Sequence, residues 1–471
     1  MFVPLSISII FGKIPTTQMT QNLQKIHVIA IGGAVMSSLA IALKEKGIAV
    51  TGSDDKIYDP SKSNLDRHGL LPSKEGWFES NINGDLDAVI LGMHAKDDNP
   101  ELIKAKKLKV PILSYPDFIR SQSENKQRIV IAGSHGKTTI TGMIIHVLKY
   151  FNRSFDYLIG AKINGLENTI QLSDAPVIII EGDEYFTSPL DQVPKFLKYD
   201  HHIALISGTS WDHINVYPTL DSYVGQFEKL ADNTPKAGSL VFCEHDKMTY
   251  VIGNKEREDV KAIPYKTPDY KVKDGKYLLN GDIPLKVFGK HNMQNIEGAR
   301  KLLEIIGIKE EQFNEAIQSF EGAQKRNNLV KSNDSSSVYT DFAHSPSKLK
   351  ATVEALKELH PKRKLTACFE LHTFSSLNKE FLPHYQGKFD AADEAIVYFN
   401  KKTLEEKNYL KTISEEDIKS SFQRKDILVF TEMEKLKDHL IAQNWDQKDL
   451  LFMSSGNFDG LDISEVADQI S

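Results

Sequence analysis

The run Ile129-Val130-Ile131-Ala132-Gly133-Ser134-His135-Gly136-Lys137-Thr138-Thr139 constrains this chain more than any other stretch. Its apolar half predicts a buried strand ending at Gly133. Gly136 then lets the backbone turn so that N–H groups point inward at the start of a helix, where the helix dipole favours an anion. Lys137 is placed to reach terminal phosphates, and the Thr138 hydroxyl suits Mg²⁺. Ile140, Met143, Ile144, Val147 and Leu148 follow at helical spacing, so an amphipathic helix carries the cradle. Gly133, Ser134, His135, Gly136, Lys137, Thr138 and Thr139 are therefore candidate contacts of ATP. Only Ser134 and His135 separate the two glycines. This loop is shorter than the common form, which narrows the class without changing the mechanism.

At 471 residues the chain exceeds what one core serves, and several domains are expected. Lys and Arg total 58 against 64 Asp and Glu, a formal charge of -6, so no global field recruits nucleic acid or an acidic membrane. Cys243 and Cys368 are the only cysteines. With neither metal-ligand spacing nor a disulfide framework, they suit a reducing cytoplasm. No apolar run is long enough to span a bilayer. Residues 1–20 are expected to be a disordered tail or an over-extended start, because the apolar opening lacks a basic n-region and Met19 stands just before the first patterned strand.

Taken in order, residues 26–31 predict a strand running into Gly32-Gly33, then a helix from about Ser37 to Lys46 and a second strand ending at Gly52-Ser53-Asp54. This is a Rossmann-like opening. Asp54 lies roughly 20 residues after the glycines, where an acid meets a ribose hydroxyl in such units. Met36 and Ser37 occupy the region of a third glycine, so a pair used only for strand-to-helix packing is the competing reading. Further strands near 88–91 and 110–113 complete a small domain, and polar residues 121–127 separate it from the cradle.

Two more apolar runs end on reactive residues: Val177–Ile180 on Glu181-Gly182-Asp183-Glu184, and Ile203–Ile206 on a loop with Trp211-Asp212-His213. If these strands lie parallel to the cradle strand, Lys137, Thr138, Glu181 and His213 meet at the carboxyl edge of one sheet, where open α/β folds bind ligands. Hard donors there suit Mg²⁺. A solvated strand-end carboxylate and a turn-capping histidine are the alternatives. A helix beginning near Gly289 puts Asn292 and Asn295 on one face, to read an adenine edge or to serve as N-cap and first-turn residues. Strands near 338–340, 365–369, 395–398, 427–430 and 451–453 then predict a third α/β unit, whose loops carry Asp341-Phe342-Ala343-His344-Ser345-Pro346 and Glu370-Leu371-His372-Thr373. The expected fold is α/β in three domains: Rossmann-like over 21–124, central P-loop ATP-binding over 125–325, and C-terminal Rossmann-like over 326–471.

The cradle Gly133–Thr139, Glu181–Glu184, Asp212-His213, His291-Asn292…Asn295 and Asp341…His344-Ser345-Pro346 stand in the order found in the Mur ligase family, which the chain resembles from about residue 25 to its end. Members are ATP-dependent amide-bond formers of peptidoglycan synthesis. The resemblance implies that Gly32, Gly33, Ser37 and Asp54 face a UDP-sugar, that Lys137 and Thr138 hold phosphates, and that Glu181 and His213 stand around Mg²⁺. It further implies Asn292 and Asn295 on adenine, Arg326 on the γ-phosphate, Asp341 on the ribose and His344 beside the nucleotide. Lys137, Glu181, His213 and Arg326 become the catalytic candidates, and Thr138, Glu181 and His213 the metal candidates.

Within the family, three stretches resemble the branch that returns a recovered murein tripeptide, L-Ala-γ-D-Glu-meso-diaminopimelate, to UDP-N-acetylmuramate. They are Gly52–Pro60, Asp183-Glu184-Tyr185 with Asp191…Lys195-Phe196…Tyr199, and Met453–Gly460. The expected activity is that ligation through an acyl phosphate, in peptidoglycan recycling. Its partners are UDP-N-acetylmuramate and a murein peptide, with no nucleic acid or membrane, in a monomer or weak homodimer. The alternatives are L-alanine ligation to the same sugar nucleotide and, from another class, a nucleotide-binding regulatory protein without ligase activity. Departures from the family pattern include Ala30 at the first glycine of G-I-G-G, Thr340 at the first acid of D-D-F-A-H, and Ser207–Ser210 in place of an Asn-rich loop. Glu370–Thr373 lacks the arginine of the tripeptide branch's E-P-R-S, leaving Lys379 and His384 as nearby candidates for the incoming substrate.

Overall fold

The computed structural model describes residues 23–470 apart from His94, Asn164, 189–190, 212–213, Asn215, 324–325 and 401–412. The expected tail lies outside the described residues. The chain forms two compact units: residues up to 126 with 170–176 and 186–193, and residues 127–169, 177–185 and 194 onward. Among the described residues no helix is long and apolar enough to cross a membrane.

The first unit is built on a parallel sheet in the order Ala49–Ser53, Lys25–Ile29, Ala88–Leu91, Ile112–Ser114. Its inner strands are apolar runs because helices cover parallel sheets on both faces. Ile29, Val89 and Leu91 pack with Leu102 and Ala105 of the helix Pro100–Leu108. Asn99 starts that helix by accepting the N–H groups of Glu101 and Leu102. The helix Ala34–Glu45 leaves directly from Gly33. Ala30 stands at φ 65°, a left-handed conformation that explains why a glycine suits this position.

In the second unit, six parallel strands run in the order Lys261–Tyr265, Ser239–Cys243, Ile203–Ile206, Gln127–Ala132, Val177–Glu181, Asp156–Leu158. The cradle strand, the Glu181 strand and the strand before Trp211 are thus adjacent and parallel, as the reading of the carboxyl edge required. Behind the cradle, Ile140, Met143, Ile144 and Val147 of the helix Lys137–Tyr150 are wholly buried. The helix Lys290–Ile305 packs Met293, Ile296 and Ala299 into the same core.

A second sheet follows in this unit, ordered Asn328–Ser332, Ser336–Asp341, Lys448–Met453, Lys364–Glu370, Glu394–Tyr398, Leu428–Phe430, with only the first strand antiparallel to its neighbour. Between the two sheets lies a three-stranded antiparallel sheet, Tyr270–Lys273, Lys276–Leu279 and Ile283–Leu285. Tyr277, Phe288, Tyr339 and Leu356 belong to one apolar cluster with the cradle helix, so the C-terminal sheet and the cradle share a continuous core. The three α/β domains expected from the strand runs are all present.

Candidate active site

The cradle takes its shape from its glycines. Gly133 has φ 134° and Gly136 φ 77°; a Cβ at the first would overlap Ser207 Oγ, and at the second Asn295 Oδ1. Ser207 locks the loop further by donating to the carbonyl of His135. Lys137 opens the helix. Its Nζ donates to the Gly133 carbonyl at 2.6 Å and lies 2.7 Å from Glu184 Oε2. Burial works against the ammonium, but Glu184, aided by Glu181 and Asp183, outweighs it and holds the lysine charged above its ordinary range.

Thr138 Oγ1 donates to Glu181 Oε1 at 2.7 Å, and the Gly160 N–H donates to the other carboxylate oxygen at 2.7 Å. Burial still pushes the Glu181 carboxyl up, so a cation brought to Thr138 and Glu181 would find a carboxylate short of positive charge. No cluster of three or more His, Cys, Asp or Glu that would cage a metal exists among the described residues. Thr138 and Glu181 themselves offer hard oxygens of the kind Mg²⁺ takes when phosphates and water complete its shell. His213, the third expected metal ligand, lies outside the described residues.

These groups open on a cavity of about 360 Å³ walled by both sheets of the second unit. Ser134, His135, Gly136, Lys137, Thr138, Thr139 and Glu181 line one wall; Arg326, Asp341 and His344 line the other, with Asn292 and Asn295 between them. Gly133 contributes its carbonyl to Lys137 from beneath the loop. The two asparagines are inner-face residues rather than caps: Asn292 Nδ2 donates to Phe288 O at 2.8 Å, and Asn295 Nδ2 to Asn292 Oδ1 at 3.2 Å. Asp341 accepts the N–H groups of Asn327 and Ala343, both at 2.7 Å, fixing the turn after its strand. Arg326 spreads its guanidinium 4.7 Å from the Phe342 ring centroid. His344 Nδ1 lies 2.8 Å from Phe342 O and Nε2 3.3 Å from Lys348 Nζ. Burial, with Lys348 nearby, lowers the His135 imidazole to about 4, which keeps it neutral against the phosphate loop.

Sequence reasoning missed Lys348 and Tyr265, both in the cavity wall. Lys348 carried a usable signal, since Pro346 marks the first turn of a helix that begins just after His344. Tyr265 ends an edge strand and carried none. Of the candidates for the incoming substrate, Lys379 is ion-paired with Asp417 at 2.7 Å, and His384 packs on Phe381 and Trp211. Glu370 is buried, where it accepts Ser454 Oγ and the Phe458 N–H.

The expected sugar-nucleotide residues belong to the first unit. The Gly32 N–H donates to Asp54 Oδ2 at 2.7 Å, and a Cβ on Gly32 would stand 2.8 Å from that oxygen. Gly33 is the extended residue before the helix. Burial raises the Asp54 carboxyl to about 6. Ser37 is buried, with its hydroxyl engaged by Ala34 O at 3.1 Å and Ser61 Oγ at 3.2 Å.

Three sequence profiles match the chain: Mur ligase family, catalytic domain, over residues 25–127; Mur ligase middle domain over 131–302; and Mur ligase, glutamate ligase domain, over 325–456. A UDP-N-acetylmuramate–L-alanine ligase from Caldanaerobacter subterraneus subsp. tengcongensis is 29% identical over 93% of this chain and 96% of its own length. The same-named protein of Caldicellulosiruptor bescii is 31% identical over 80% and 83%. The crystal structure of a UDP-N-acetylmuramate–alanine ligase from Thermotoga maritima superposes with a TM-score of 0.69, covering 95% of this chain and 99% of that one at 22% identity, a likeness of fold.

These matches correct the expected tripeptide activity. Both of these sequence relatives carry the alanine-ligase name, whereas a murein peptide ligase, from Psychrobacter arcticus, is met as a structural neighbour at 20% identity and a TM-score of 0.63. The stretches that suggested the tripeptide branch have structural work of their own. Ser53 is bonded to Glu101, Asp183 to Lys195 at 2.6 Å and Ser454 to Glu370. In this chain those residues brace the fold.

Proposed function

The chain belongs to the Mur ligase family, and from that premise we propose that it joins L-alanine to the lactyl carboxylate of UDP-N-acetylmuramate. It is an ATP-dependent, ADP-forming ligase of C–N bonds. The observation that carries the reading is the cavity where Lys137, the Thr138–Glu181 pair and Arg326 converge, in a chain whose relatives are alanine ligases.

A carboxylate is a poor electrophile, so it is activated first. The lactyl carboxylate attacks the γ-phosphorus of ATP, the bond to the β–γ bridging oxygen breaks, and ADP leaves. The amino group of L-alanine then attacks the acyl phosphate, phosphate leaves and the nitrogen loses a proton to solvent. Lys137 and Arg326 neutralise charge that gathers on the transferring phosphoryl oxygens in the cavity that both line. Asn292 and Asn295 present amides to the adenine, Asp341 accepts from the ribose, and the N–H groups of Ser134–Thr139 cradle the phosphates. His344 lies beside the nucleotide. Gly32, Gly33 and Asp54, with Ser37 behind them, receive the sugar nucleotide. Thr138 and Glu181 would hold Mg²⁺, which when bound screens the phosphate charges.

The test is product formation resolved by mass with Mg-ATP and UDP-N-acetylmuramate, offering L-alanine in one reaction and the L-Ala-γ-D-Glu-diaminopimelate tripeptide in another. UDP-N-acetylmuramyl-L-alanine with stoichiometric ADP is expected from the first. Product from the tripeptide alone, or from neither, overturns the proposal.

A further inference from the structure

One corner of the first unit holds a polar pair that the nucleotide chemistry does not use. His27, on the strand Lys25–Ile29, and Glu101, in the first turn of the helix Pro100–Leu108, are each 0% exposed. Burying an imidazole and a carboxylate is costly unless both are fully paired. Here they are. His27 Nδ1 lies 2.8 Å from Thr51 Oγ1, and Nε2 lies 3.3 Å from Ser53 Oγ and 3.4 Å from Glu101 Oε2. Glu101 accepts Ser53 Oγ, the Phe78 N–H at 3.0 Å and Asn81 Nδ2 at 2.8 Å. Burial favours the neutral acid, but the bonds from His27, Ser53 and Phe78 outweigh it and hold the carboxyl below its ordinary range, so Glu101 is an anion.

These bonds close a ring around Asp54. On one flank, Ser53 is tied to Glu101. On the other, the Asp54 carbonyl accepts the Gly76 N–H at 2.7 Å, and the chain returns from Gly76 to Phe78 and so to Glu101. The Asp54 carboxylate is thereby held against the Gly32 N–H at the head of the helix Ala34–Glu45. Glu101 has no hydrogen bond to Gly32, Gly33, Ser37 or Asp54 among those described, yet both flanks of Asp54 depend on it.

We propose that Glu101, partnered by His27, is a positioning residue for the sugar nucleotide, setting Asp54 and the 76–81 loop so that Asp54 accepts a sugar hydroxyl. This rests on the reading that those residues receive UDP-N-acetylmuramate. Glu101→Gln removes the charge while keeping the side chain's shape and an acceptor for the Phe78 N–H. In the full-length protein it is expected to raise the KM for UDP-N-acetylmuramate about tenfold, the scale of a hydrogen bond to a charged group. The KM for ATP and the kcat at saturating sugar nucleotide should stay within about twofold. Calorimetric titration with UDP-N-acetylmuramate alone should show the same weakening. Asn81→Ala, which removes one donor to Glu101, gives a smaller shift in the same direction and serves if Glu101→Gln does not fold. A folded Glu101→Gln or Asn81→Ala protein with wild-type KM for the sugar nucleotide, or one in which kcat and both KM values deteriorate together, overturns the role. Wild-type protein that binds no UDP-N-acetylmuramate, or Asp54→Ala protein that binds it undiminished, instead overturns the underlying site reading.

Discussion

Lys137 and Glu184 form a buried ion pair, 2.7 Å from Nζ to Oε2, at the mouth of the phosphate cradle. The lysine also donates to the carbonyl of its own Gly133, so it is oriented before any phosphate arrives. Such preorganised charge is the main source of rate in phosphoryl transfer. Lys137→Ala is therefore expected to lower kcat by about 10²–10³ while the chain still folds. Steady-state kinetics alongside circular dichroism check this, and near-normal turnover in a folded variant would remove Lys137 from the mechanism.

The Thr138–Glu181 pair makes a separate prediction about metal. Both side chains supply hard oxygens, and burial has raised the carboxyl that a cation would stabilise as an anion. Chelation of divalent ions should abolish ADP release. Thr138→Val should require about tenfold more Mg²⁺ for half-maximal rate, as expected when one ligand of a sparsely held ion is lost. A Mg²⁺ titration that superposes on the wild-type curve would exclude this pair as the metal site.

Gly136 and Ala30 give opposite predictions from the same steric rule. Gly136 has φ 77° and its missing Cβ would overlap Asn295 Oδ1, so Gly136→Ala combines backbone strain with a collision inside the cavity wall. Loss of ATP binding is expected, together with about 1–2 kcal/mol of destabilisation from the left-handed backbone alone. Ala30 already tolerates φ 65°, and Ala30→Gly should stabilise the first unit by about 0.5–1 kcal/mol. Thermal denaturation of the two variants decides both.

How far the fold was legible follows from this same local logic. Ile129–Ala132, Val177–Ile180 and Ile203–Ile206 read as strands because a parallel sheet covered on both faces leaves no position for a polar residue. Lys137, Thr138 and Glu181 could be placed together because each sits at the end of such a run. Lys348 and Tyr265 reach the cavity only through the docking of one sheet on another, which no local pattern encodes. For Asn292 and Asn295, Gly289 as the residue before the helix removes only the N-cap reading. Glu101 carried no signal, because its partners Ser53, Phe78 and His27 are remote in sequence. The tripeptide reading failed for a related reason, since Ser53, Asp183 and Ser454 brace the fold and say little about the incoming amine.

His201 offers a pH test independent of catalysis. It is 3% exposed, with Nε2 only 2.9 Å from Thr234 Oγ1, and burial lowers its imidazole from 6.5 to about 4. The unfolded chain therefore takes up this proton first as pH falls. The stability contributed by keeping His201 neutral is complete above about pH 6.5 and is lost progressively down to about pH 4, on the order of 3 kcal/mol across that window. His201→Gln, which preserves a polar partner for Thr234 but does not titrate, should flatten the pH dependence of the denaturant midpoint within this window. Above pH 7 the two proteins should differ by a constant offset. Parallel curves between pH 6.5 and 4 would show that the His201 proton is not linked to folding.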